Sequence, residues 1–242
     1  MNNLIWQFHK HAGRARDGSD SLSWARASSQ LLVSYAMKYQ VEYQYSATPE
    51  FWKVLPGVGP GHERFQLFKE EYDKYDYILY ADTDILFSNV ATNIFEEYGD
   101  CDIASFNWPN PQDEKAFSEG RWLSTHGLSW DFYKSRYVSG GLYLMSRKFR
   151  QTLRPYVMNS PFDEKTGLPL SREAFSDRWP CGDQSIISFY LCFFDLKYIQ
   201  FAHSLTRGPQ AYNFCGAKND ENIKEYFEKF DEYRNTWEPG IG

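Results

Sequence analysis

Two aspartates separated by one residue are the side chains of this chain best suited to chemistry. Asp82 and Asp84 directly follow the apolar run 77–81, whose composition predicts a strand buried on both faces. Side chains at positions i and i+2 of an extended chain point the same way, so both carboxylates can approach one ion. Hard oxygen ligands suit Mg²⁺ or Mn²⁺. The pair therefore predicts a divalent-metal site, and the simpler alternative is a solvated acidic turn.

The elements that would position this pair alternate between strands and helices. Apolar runs predict strands at 4–8, 41–45, 77–81, 103–106, 138–145 and 196–201. Apolar positions at helical spacing predict helices at 24–35, 65–72, 183–192 and 223–230. This order indicates an α/β fold with a largely parallel sheet, in which ligands bind outside the carboxyl ends of the strands.

The length and composition fit one globular domain. No internal repeat or low-complexity linker divides the 242 residues, so we expect a single domain over 1–242. Within it we expect a nucleotide-binding half at 1–106, and an acceptor-side half with a C-terminal helix at 107–242. Aromatic residues make up 19% of the chain, and their ring faces can stack on sugars as well as pack a core.

Charge and apolar patterning exclude several classes of partner. The net charge is −6 and no basic stripe is present, so we expect no nucleic-acid partner. Residues 1–11 have no long apolar stretch and no later run is long enough to span a bilayer, so we expect neither a signal peptide nor a transmembrane segment. The four cysteines show no C-x-x-C spacing and predict reduced thiols in a cytoplasmic protein.

Four motifs in order along the chain resemble those of a known family. Residues 75–87 match the D-x-D region of GT-A nucleotide-sugar glycosyltransferases, and 63–68 resemble the helix before it. Residues 137–145 resemble the F-N-A-G-V stretch, and 182–187 the D-Q-D-x-L element, of relatives of glycogenin and bacterial galactosyltransferases. The resemblance covers roughly residues 60 to 220 and is strongest, in motif order, with this retaining group.

The resemblance implies a fold, a reaction and a cofactor. The fold would be the Rossmann-like GT-A fold, a mixed and mostly parallel sheet flanked by helices. The reaction would move a sugar from a nucleotide-diphosphate sugar, with a UDP-sugar favoured, to a hydroxyl acceptor such as a glycan or glycoside. Mn²⁺ or Mg²⁺ would be held most directly by Asp84, with Asp82 sharing the ion or reaching the ribose. Retention is favoured, and an inverting enzyme would need a base such as Asp131 or Asp183.

Arg64 is a donor-side candidate with an open alternative. In the resemblance it would lie near the donor and offer its fork of N–H groups to a phosphate or carboxylate. It could equally be a surface arginine paired with Glu70 or Glu71.

Two further pairs of residues would face the donor. Asp183 and Gln184 would bind hydroxyls of the donor sugar near its anomeric carbon, although Asp183 could also be the N-cap of a helix. Gly140 and Gly141 would permit a close approach of the backbone to the donor, or could simply form a turn.

The third metal ligand is the point where the chain departs from the family. Relatives often carry a histidine followed closely by glycine and lysine, and the matching segment here is 212–218. Asn213 stands in the place of the histidine, and its carbonyl oxygen can bind a hard cation. His203, ten residues earlier, is the rival ligand, while Lys218 keeps the expected contact with the diphosphate.

The aromatic insertion at 107–137 is the candidate acceptor wall. Three tryptophans could stack on sugar faces or cover the sheet as ordinary core: Trp108, Trp122 and Trp130. His126 and Asp131 of the same segment are candidate bases, although their spacing does not require that role.

Two other functions share parts of this pattern. A sugar-phosphate nucleotidyltransferase would have the same sheet and acidic pair, but its Gly-rich basic signature is only faintly matched by residues 13–18. A non-catalytic carbohydrate-binding protein would use the tryptophans, but it would leave the acidic pair at a strand end without a role.

Overall fold

The computed structural model describes residues 1–9, 21–51, 55, 59–88, 91–107, 123, 126–171, 174, 179, 182–207 and 210–213. The strands are β1 (Asn3–Phe8), β2 (Glu42–Ser46), β3 (Tyr77–Ala81), β4 (Ile85–Phe87), β5 (Ile103–Asn107), β6 (Val138–Ser146), β7 (Tyr198–Gln200) and β8 (Ala211–Asn213). The α-helices are α1 (Ser21–Tyr39), α2 (Ile94–Glu97), α3 (Trp130–Ser135), α4 (Arg147–Asn159), α5 (Asp183–Phe193) and α6 (Ser204–Arg207). Two 3₁₀ helices span Pro60–Phe68 and Glu70–Tyr72.

Six strands form one mixed sheet in the order β2-β1-β3-β6-β5-β7. Strand β1 pairs in parallel with β2 and β3, and β5 pairs in parallel with β7. Strand β6 is inserted antiparallel between β3 and β5. The sheet is therefore mixed and mostly parallel, as predicted, and β3 ends at the edge where a ligand of an α/β sheet would bind.

Apolar side chains cover both faces of the sheet. One face packs Trp6, Ile78 and Tyr143 with α4, α5 and the longer 3₁₀ helix, while the other packs Ile5 and Leu79 against α1 and α2. Burial of one large aliphatic side chain contributes about 2 kcal/mol before the entropy of ordering it is counted. Two-sided burial explains why β3 is a continuous apolar run in the sequence.

The helix predicted from Phe65, Phe68 and Tyr72 is wound differently in the structure. It consists of two 3₁₀ helices, separated by Lys69, whose backbone is extended with φ −70° and ψ 154°. In a 3₁₀ helix side chains three residues apart lie above one another. The whole stretch 62–68, including Arg64, is buried.

A second, two-stranded sheet was not predicted. Strands β4 and β8 pair antiparallel, with Ile85 opposite Asn213. Helix α4 was also not predicted; the side chain of Ser146 caps it by accepting a hydrogen bond from the N–H of Phe149. The strand expected at 196–201 is shorter, at Tyr198–Gln200.

Three sequence predictions are not decided by this architecture. The helix expected at 223–230 lies outside the described residues. The division into halves at 106 stays a prediction, as does the cytoplasmic location. None of the helices within the described ranges is long and apolar enough to cross a bilayer.

Candidate functional site

The acidic pair lies in the turn that joins β3 to β4. The N–H of Ile85 donates to the carbonyl of Asp82 at 3.1 Å and closes the turn around Thr83 and Asp84. All three residues from 82 to 84 are partly exposed, whereas β3 before them and β4 after them are buried. The pair follows the buried strand β3, as predicted, and lies at the boundary between the core and solvent. It lies in a turn, however, rather than on the extended chain that the sequence argument assumed.

The backbone of Asp82 is anchored to two neighbouring strands. Its N–H donates to the carbonyl of Gly141 in β6 at 2.8 Å. Its carbonyl accepts from Nε2 of Gln7 in β1 at 3.3 Å. Gln7 is fully buried, and its side chain also bonds to Ser28 at 2.9 Å and accepts from the hydroxyl of Tyr43 at 2.7 Å.

Two further contacts fix the remainder of the turn. The hydroxyl of Ser28, on α1, donates to the carbonyl of Ile85 at 2.5 Å. The Nδ1 atom of His9, just beyond β1, lies 3.2 Å from the hydroxyl of Thr83 between the two aspartates. The acidic turn is thus held by the first strand and the first helix of the chain.

Arg64 joins the acidic turn to the start of α5. Its Nη1 lies 2.9 Å from Oδ2 of Asp183, and its Nη2 lies 3.7 Å from Oδ1 of Asp82. Its Nε donates to the carbonyl of Gly61 at 2.6 Å, and Nη1 also donates to the carbonyl of Gly140. Because Arg64 is only 5% exposed, these contacts replace the water that its guanidinium would otherwise bind.

Two stacked tyrosines support this arginine. Tyr80 of β3 and Tyr143 of β6 are direct cross-strand partners, with ring centroids 4.9 Å apart. The guanidinium carbon of Arg64 lies 4.6 Å from the ring centroid of Tyr80 and 5.7 Å from that of Tyr143, within the range of cation–π attraction. The hydroxyl of Tyr80 donates to Oδ1 of Asp82.

The ionisation of Asp82 reflects this partly enclosed setting. Desolvation raises the pKa of Asp82 to about 7, the positive charge of Arg64 opposes the rise, and the negative charge of Asp84 adds to it. For Arg64 itself, burial lowers the pKa, but the charges of Asp183 and Asp82 help to hold it well above its ordinary value. Arg64 is therefore charged at any physiological pH.

The surface alternative for Arg64 is wrong. A surface helix arginine would pair with Glu70 or Glu71, but Arg64 is buried and its carboxylate partners are Asp82 and Asp183. Glu70 lies 3.9 Å from Arg154 on α4 instead. The physical reason is that every residue from 62 to 68 is buried, so this segment offers residue 64 no surface face.

The N-cap alternative for Asp183 is also wrong. Helix α5 is capped by Gly182, whose φ of 60° lies in the region that favours glycine, and Asp183 is the first helical residue. A carboxylate in the first turn interacts favourably with the helix dipole, and here it also pairs with Arg64. Gln184 follows it and lies beside Gly140 and, at 3.5 Å, the hydroxyl of Tyr137.

The two glycines form no turn. Gly140 and Gly141 lie inside β6, which is buried along its whole length. A Cβ atom on Gly140 would lie 2.7 Å from Nη1 of Arg64 and would also collide with the amide of Gln184. Glycine at 140 therefore makes room for these two side chains.

The two candidate third ligands lie in different places. The backbone of Asn213 is paired with Ile85, the residue directly after Asp84. His203 is exposed and follows the edge strand β7, which two strands separate from β3, a spacing of about 14 Å. Among the described residues no three His, Cys, Asp or Glu side chains form a group that could hold a metal, so His203 is not gathered with the acidic pair.

The other sequence candidates make no recorded contact with the acidic turn or Arg64, or lie outside the described residues. Trp130 packs on Tyr133 with ring centroids 5.7 Å apart, and Asp131 is exposed on α3. His126 contacts Phe189 at 5.1 Å, roughly 9 Å along α5 from Asp183. Lys218, Trp108, Trp122 and residues 13–18 lie outside the described part of the chain.

The donor set of the acidic turn fits a divalent cation. Two carboxylates at the solvent boundary provide hard oxygen ligands with excess negative charge, which is what Mg²⁺ and Mn²⁺ bind. The raised pKa of Asp82 points the same way, because a bound cation would offset the cost of ionising it.

Sequence reasoning missed Gln7, His9 and Tyr80 as residues that shape this site. The available signals were a polar residue within the apolar strand β1, and an aromatic hydroxyl two residues before Asp82 on the same strand face.

Comparison with known proteins gives a shared fold. No protein-family model and no curated protein sequence matches the chain. A glycosyltransferase involved in glycosylation of the major capsid of PBCV-1 has a similar structure, with a TM-score of 0.54 and 12% identity over 95% of this chain and 100% of that one. The galactosyltransferase LgtC, solved with donor and acceptor sugar analogs, gives a TM-score of 0.48 and 10% sequence identity over 98% of this chain and 97% of that one. Mouse xyloside xylosyltransferase 1 gives a TM-score of 0.48 and 12% sequence identity over 96% of this chain and 93% of that one.

These likenesses carry unequal weight. The two scores of 0.48 are too low to argue from, and at 12% identity the first likeness shows the fold alone. Together with the sheet topology it shows that the chain shares the fold of that glycosyltransferase, a mixed and mostly parallel sheet flanked by helices as predicted.

Proposed function

We propose that this chain is a metal-dependent glycosyltransferase. It would move a sugar from a nucleotide-diphosphate sugar, with a UDP-sugar favoured, to a hydroxyl acceptor such as a glycan or glycoside. The observation that carries the proposal is the linkage of the acidic turn to Asp183 through Arg64 at the carboxyl end of β3. The fold that the chain shares with a glycosyltransferase supports it.

The acidic turn would hold the cation. Asp84 and Asp82 provide the carboxylates, and Asn213 is the favoured third ligand, because its backbone pairs with the residue after Asp84. When bound, Mn²⁺ or Mg²⁺ would act as a Lewis acid toward the diphosphate leaving group. The anchoring of the turn by Gln7 and Ser28 would keep the carboxylates in place when a polyphosphate arrives.

The start of α5 would hold the donor sugar. Asp183 is fixed by Arg64, and Gln184 lies beside Gly140, so the two polar side chains face the part of the sheet next to the acidic turn. Arg64 makes three close contacts, to Gly61, Gly140 and Asp183. We therefore assign to Arg64 the task of fixing the two aspartates, which is the carboxylate alternative of the sequence prediction rather than the phosphate one. Lys218 remains the proposed residue for the diphosphate.

Retention of configuration is the favoured outcome. An inverting enzyme needs a carboxylate base beside the acceptor. Asp131 is exposed on α3, and Asp183 is ion-paired with Arg64 at 2.9 Å, so neither is well arranged for that task. A retaining transferase needs no such base, so the surroundings of Asp131 and Asp183 are consistent with retention.

Thermal unfolding with ligands tests the proposal. UDP-, GDP- and dTDP-sugars would each be added with and without Mn²⁺. We expect a higher melting temperature with one nucleotide-sugar, and only when Mn²⁺ is present, because a ligand that binds the native state stabilises it. Stabilisation by none of the three in the presence of metal would overturn the proposal. Stabilisation by a nucleoside triphosphate with a sugar phosphate would favour a nucleotidyltransferase, and stabilisation by a glycan alone would favour a binding protein.

A variant pair ties the result to the acidic turn. Asp84→Ala is expected to abolish both the metal-dependent stabilisation and hydrolysis of the donor. Asp100→Ala is the matched control, because the Asp100 side chain is 98% exposed and pairs only with the surface residue Lys197 among its recorded ion pairs. Retained donor hydrolysis in Asp84→Ala would contradict the assignment of this ligand.

A further inference from the structure

Tyr80 and Tyr143 form a pair of nearly equivalent side chains beneath the acidic turn. They face each other across β3 and β6, their ring planes are inclined by only 20°, and both are buried. The guanidinium of Arg64 lies over both rings. Their packing roles are therefore alike, and any difference in function must come from their hydroxyl groups.

The two hydroxyl groups differ in what they contact. The hydroxyl of Tyr80 donates to Oδ1 of Asp82. No hydrogen bond joins the hydroxyl of Tyr143 to a described residue of the acidic turn. Tyr80 lies two residues before Asp82 on the chain that enters the turn, whereas Tyr143 lies on the neighbouring strand β6.

This hydrogen bond makes the two oxygens of Asp82 unequal. Oδ1 is held from the protein interior by Tyr80 and is approached by Arg64 at 3.7 Å. The side chain is nevertheless 35% exposed, so the carboxylate still reaches solvent. A carboxylate with one oxygen occupied by the protein can offer a cation its other oxygen, but it is poorly suited to bidentate binding.

We propose that the hydroxyl of Tyr80 is a positioning group that holds Asp82 for single-oxygen contact with the divalent cation. This inference rests on the proposed metal site of the acidic turn. Hydrogen bonds from outside the coordination shell orient ligands, and their loss typically weakens metal affinity by about 10- to 100-fold. Tyr80 thus acts through Asp82, and it does not itself contact the cation or the substrate.

Two single-atom deletions test the proposal. Tyr80→Phe and Tyr143→Phe each remove one buried hydroxyl and keep the ring stack. Mn²⁺ binding would be titrated in the presence of saturating UDP, by the loss of the electron paramagnetic resonance signal of free Mn²⁺. We expect about a 10-fold higher Kd for Mn²⁺ in Tyr80→Phe, and a change of less than about twofold in Tyr143→Phe.

A kinetic split separates positioning from general destabilisation. In donor hydrolysis, Tyr80→Phe is expected to raise the Mn²⁺ concentration for half-maximal rate while kcat at saturating Mn²⁺ stays near that of the parent protein. A merely structural role would instead lower the melting temperature and leave the Mn²⁺ dependence unchanged. Equal Mn²⁺ affinities in the two variants would overturn the proposal.

A double variant keeps the test decisive if Tyr80→Phe loses stability. In an Asp82→Ala background, which removes the oxygen that accepts from Tyr80, Tyr80→Phe is expected to cause no further weakening of Mn²⁺ binding, because the two changes act on one interaction. Independent, additive losses would refute the coupling. If the parent protein binds Mn²⁺ with UDP and Tyr80→Phe binds it equally well, only the role of Tyr80 fails. If the parent binds no Mn²⁺, the proposed function and this inference fail together.

Discussion

Two buried arginines lie near opposite ends of β3 and have opposite surroundings. Arg64, at the carboxyl end, is 5% exposed and is paired with Asp183 and Asp82. Arg150, on α4 near the amino end, is 0% exposed and donates to three backbone carbonyls, those of Tyr72, Tyr75 and Met145. Both arginines donate to backbone carbonyls, but of the two only Arg64 also pairs with carboxylates among the described contacts.

The pKa values follow the same division. Burial lowers the pKa of Arg150 to about 10, since carbonyl dipoles replace only part of its lost hydration. Burial acts on Arg64 too, but the charge of Asp183 and that of Asp82 contribute to a pKa well above the ordinary value. A buried arginine among carbonyls serves the connection between elements. A buried arginine among carboxylates at a strand end arranges groups that can meet a ligand, and this difference indicates which end of β3 is functional.

Replacement of Arg150 tests whether the buried arginine near the amino end of β3 stabilises the fold. Arg150→Met leaves three buried carbonyls without this donor, and we expect a loss of about 3 to 5 kcal/mol in the free energy of unfolding. Urea denaturation monitored by circular dichroism measures it. Arg147→Met, on the same helix but 42% exposed at its side chain, is the control and should cost about 1 kcal/mol or less. Equal losses in the two variants would contradict the structural role of Arg150.

Replacement of Arg64 should give a loss that depends on pH. In metal-free protein we expect Arg64→Met to lower the free energy of unfolding by about 3 kcal/mol at pH 8, because Asp183 and Asp82 lose their buried partner. The loss should be smaller at pH 5. The pKa of Asp82 is raised from 3.8 in the unfolded chain to about 7 in the folded protein. Between these two pH values the unfolded chain has lost the Asp82 proton while the folded protein keeps it, so the stability of the fold decreases as the pH rises.

The same measurement on Arg150 provides the contrast. Arg64 opposes the rise in the pKa of Asp82, so its removal should raise that pKa further. The pH range over which ionisation of Asp82 lowers the stability of the fold then becomes wider. Backbone carbonyls do not titrate, and Arg150→Met should therefore lose the same free energy at pH 5 and pH 8. Parallel pH profiles for the two variants would show that the carboxylates do not distinguish the two arginines.

A methyl group at position 140 should cause the smallest of these losses. The added Cβ of Gly140→Ala would collide with Nε2 of Gln184 and lie 2.7 Å from Nη1 of Arg64, and we expect a cost of about 1 to 2 kcal/mol as these side chains are displaced. Donor hydrolysis should fall by about 10-fold, the rate equivalent of about 1.4 kcal/mol. Gly59→Ala is the control, since a Cβ there meets nothing within 4 Å. Unchanged hydrolysis in Gly140→Ala would mean that the position of Arg64 is not critical.

The strand and turn that carry the acidic pair could be predicted because their signals are local. Two-sided burial gives β3 a continuous apolar run, and the following Asp82 and Asp84 mark its end directly. Helix α5 was equally clear, from the apolar periodicity of residues 183–192. These elements depend on patterns that a few neighbouring residues complete among themselves.

The rest of the site depends on contacts that no local pattern contains. The burial of Arg64 follows from the packing of the whole stretch 62–68 and from partners far along the chain, Gly140 and Asp183, which the apolar spacing of this helix does not indicate. Strands β4 and β8 have three residues each, too few to show a period. Helix α4 begins directly after the last residue of β6, so no loop in the sequence marks where the helix starts.

The pairing of β4 with β8 has a consequence for the order in which the protein is made. The acidic turn emerges from the ribosome well before Asn213, the residue that pairs with Ile85. At about 5 to 20 residues per second, the nascent chain carries an incomplete turn for roughly ten seconds. During that interval β4 has an unpaired edge, which in the finished protein is covered by β8. A nascent chain stalled before residue 211 would therefore contain both aspartates without the strand that lies beside them.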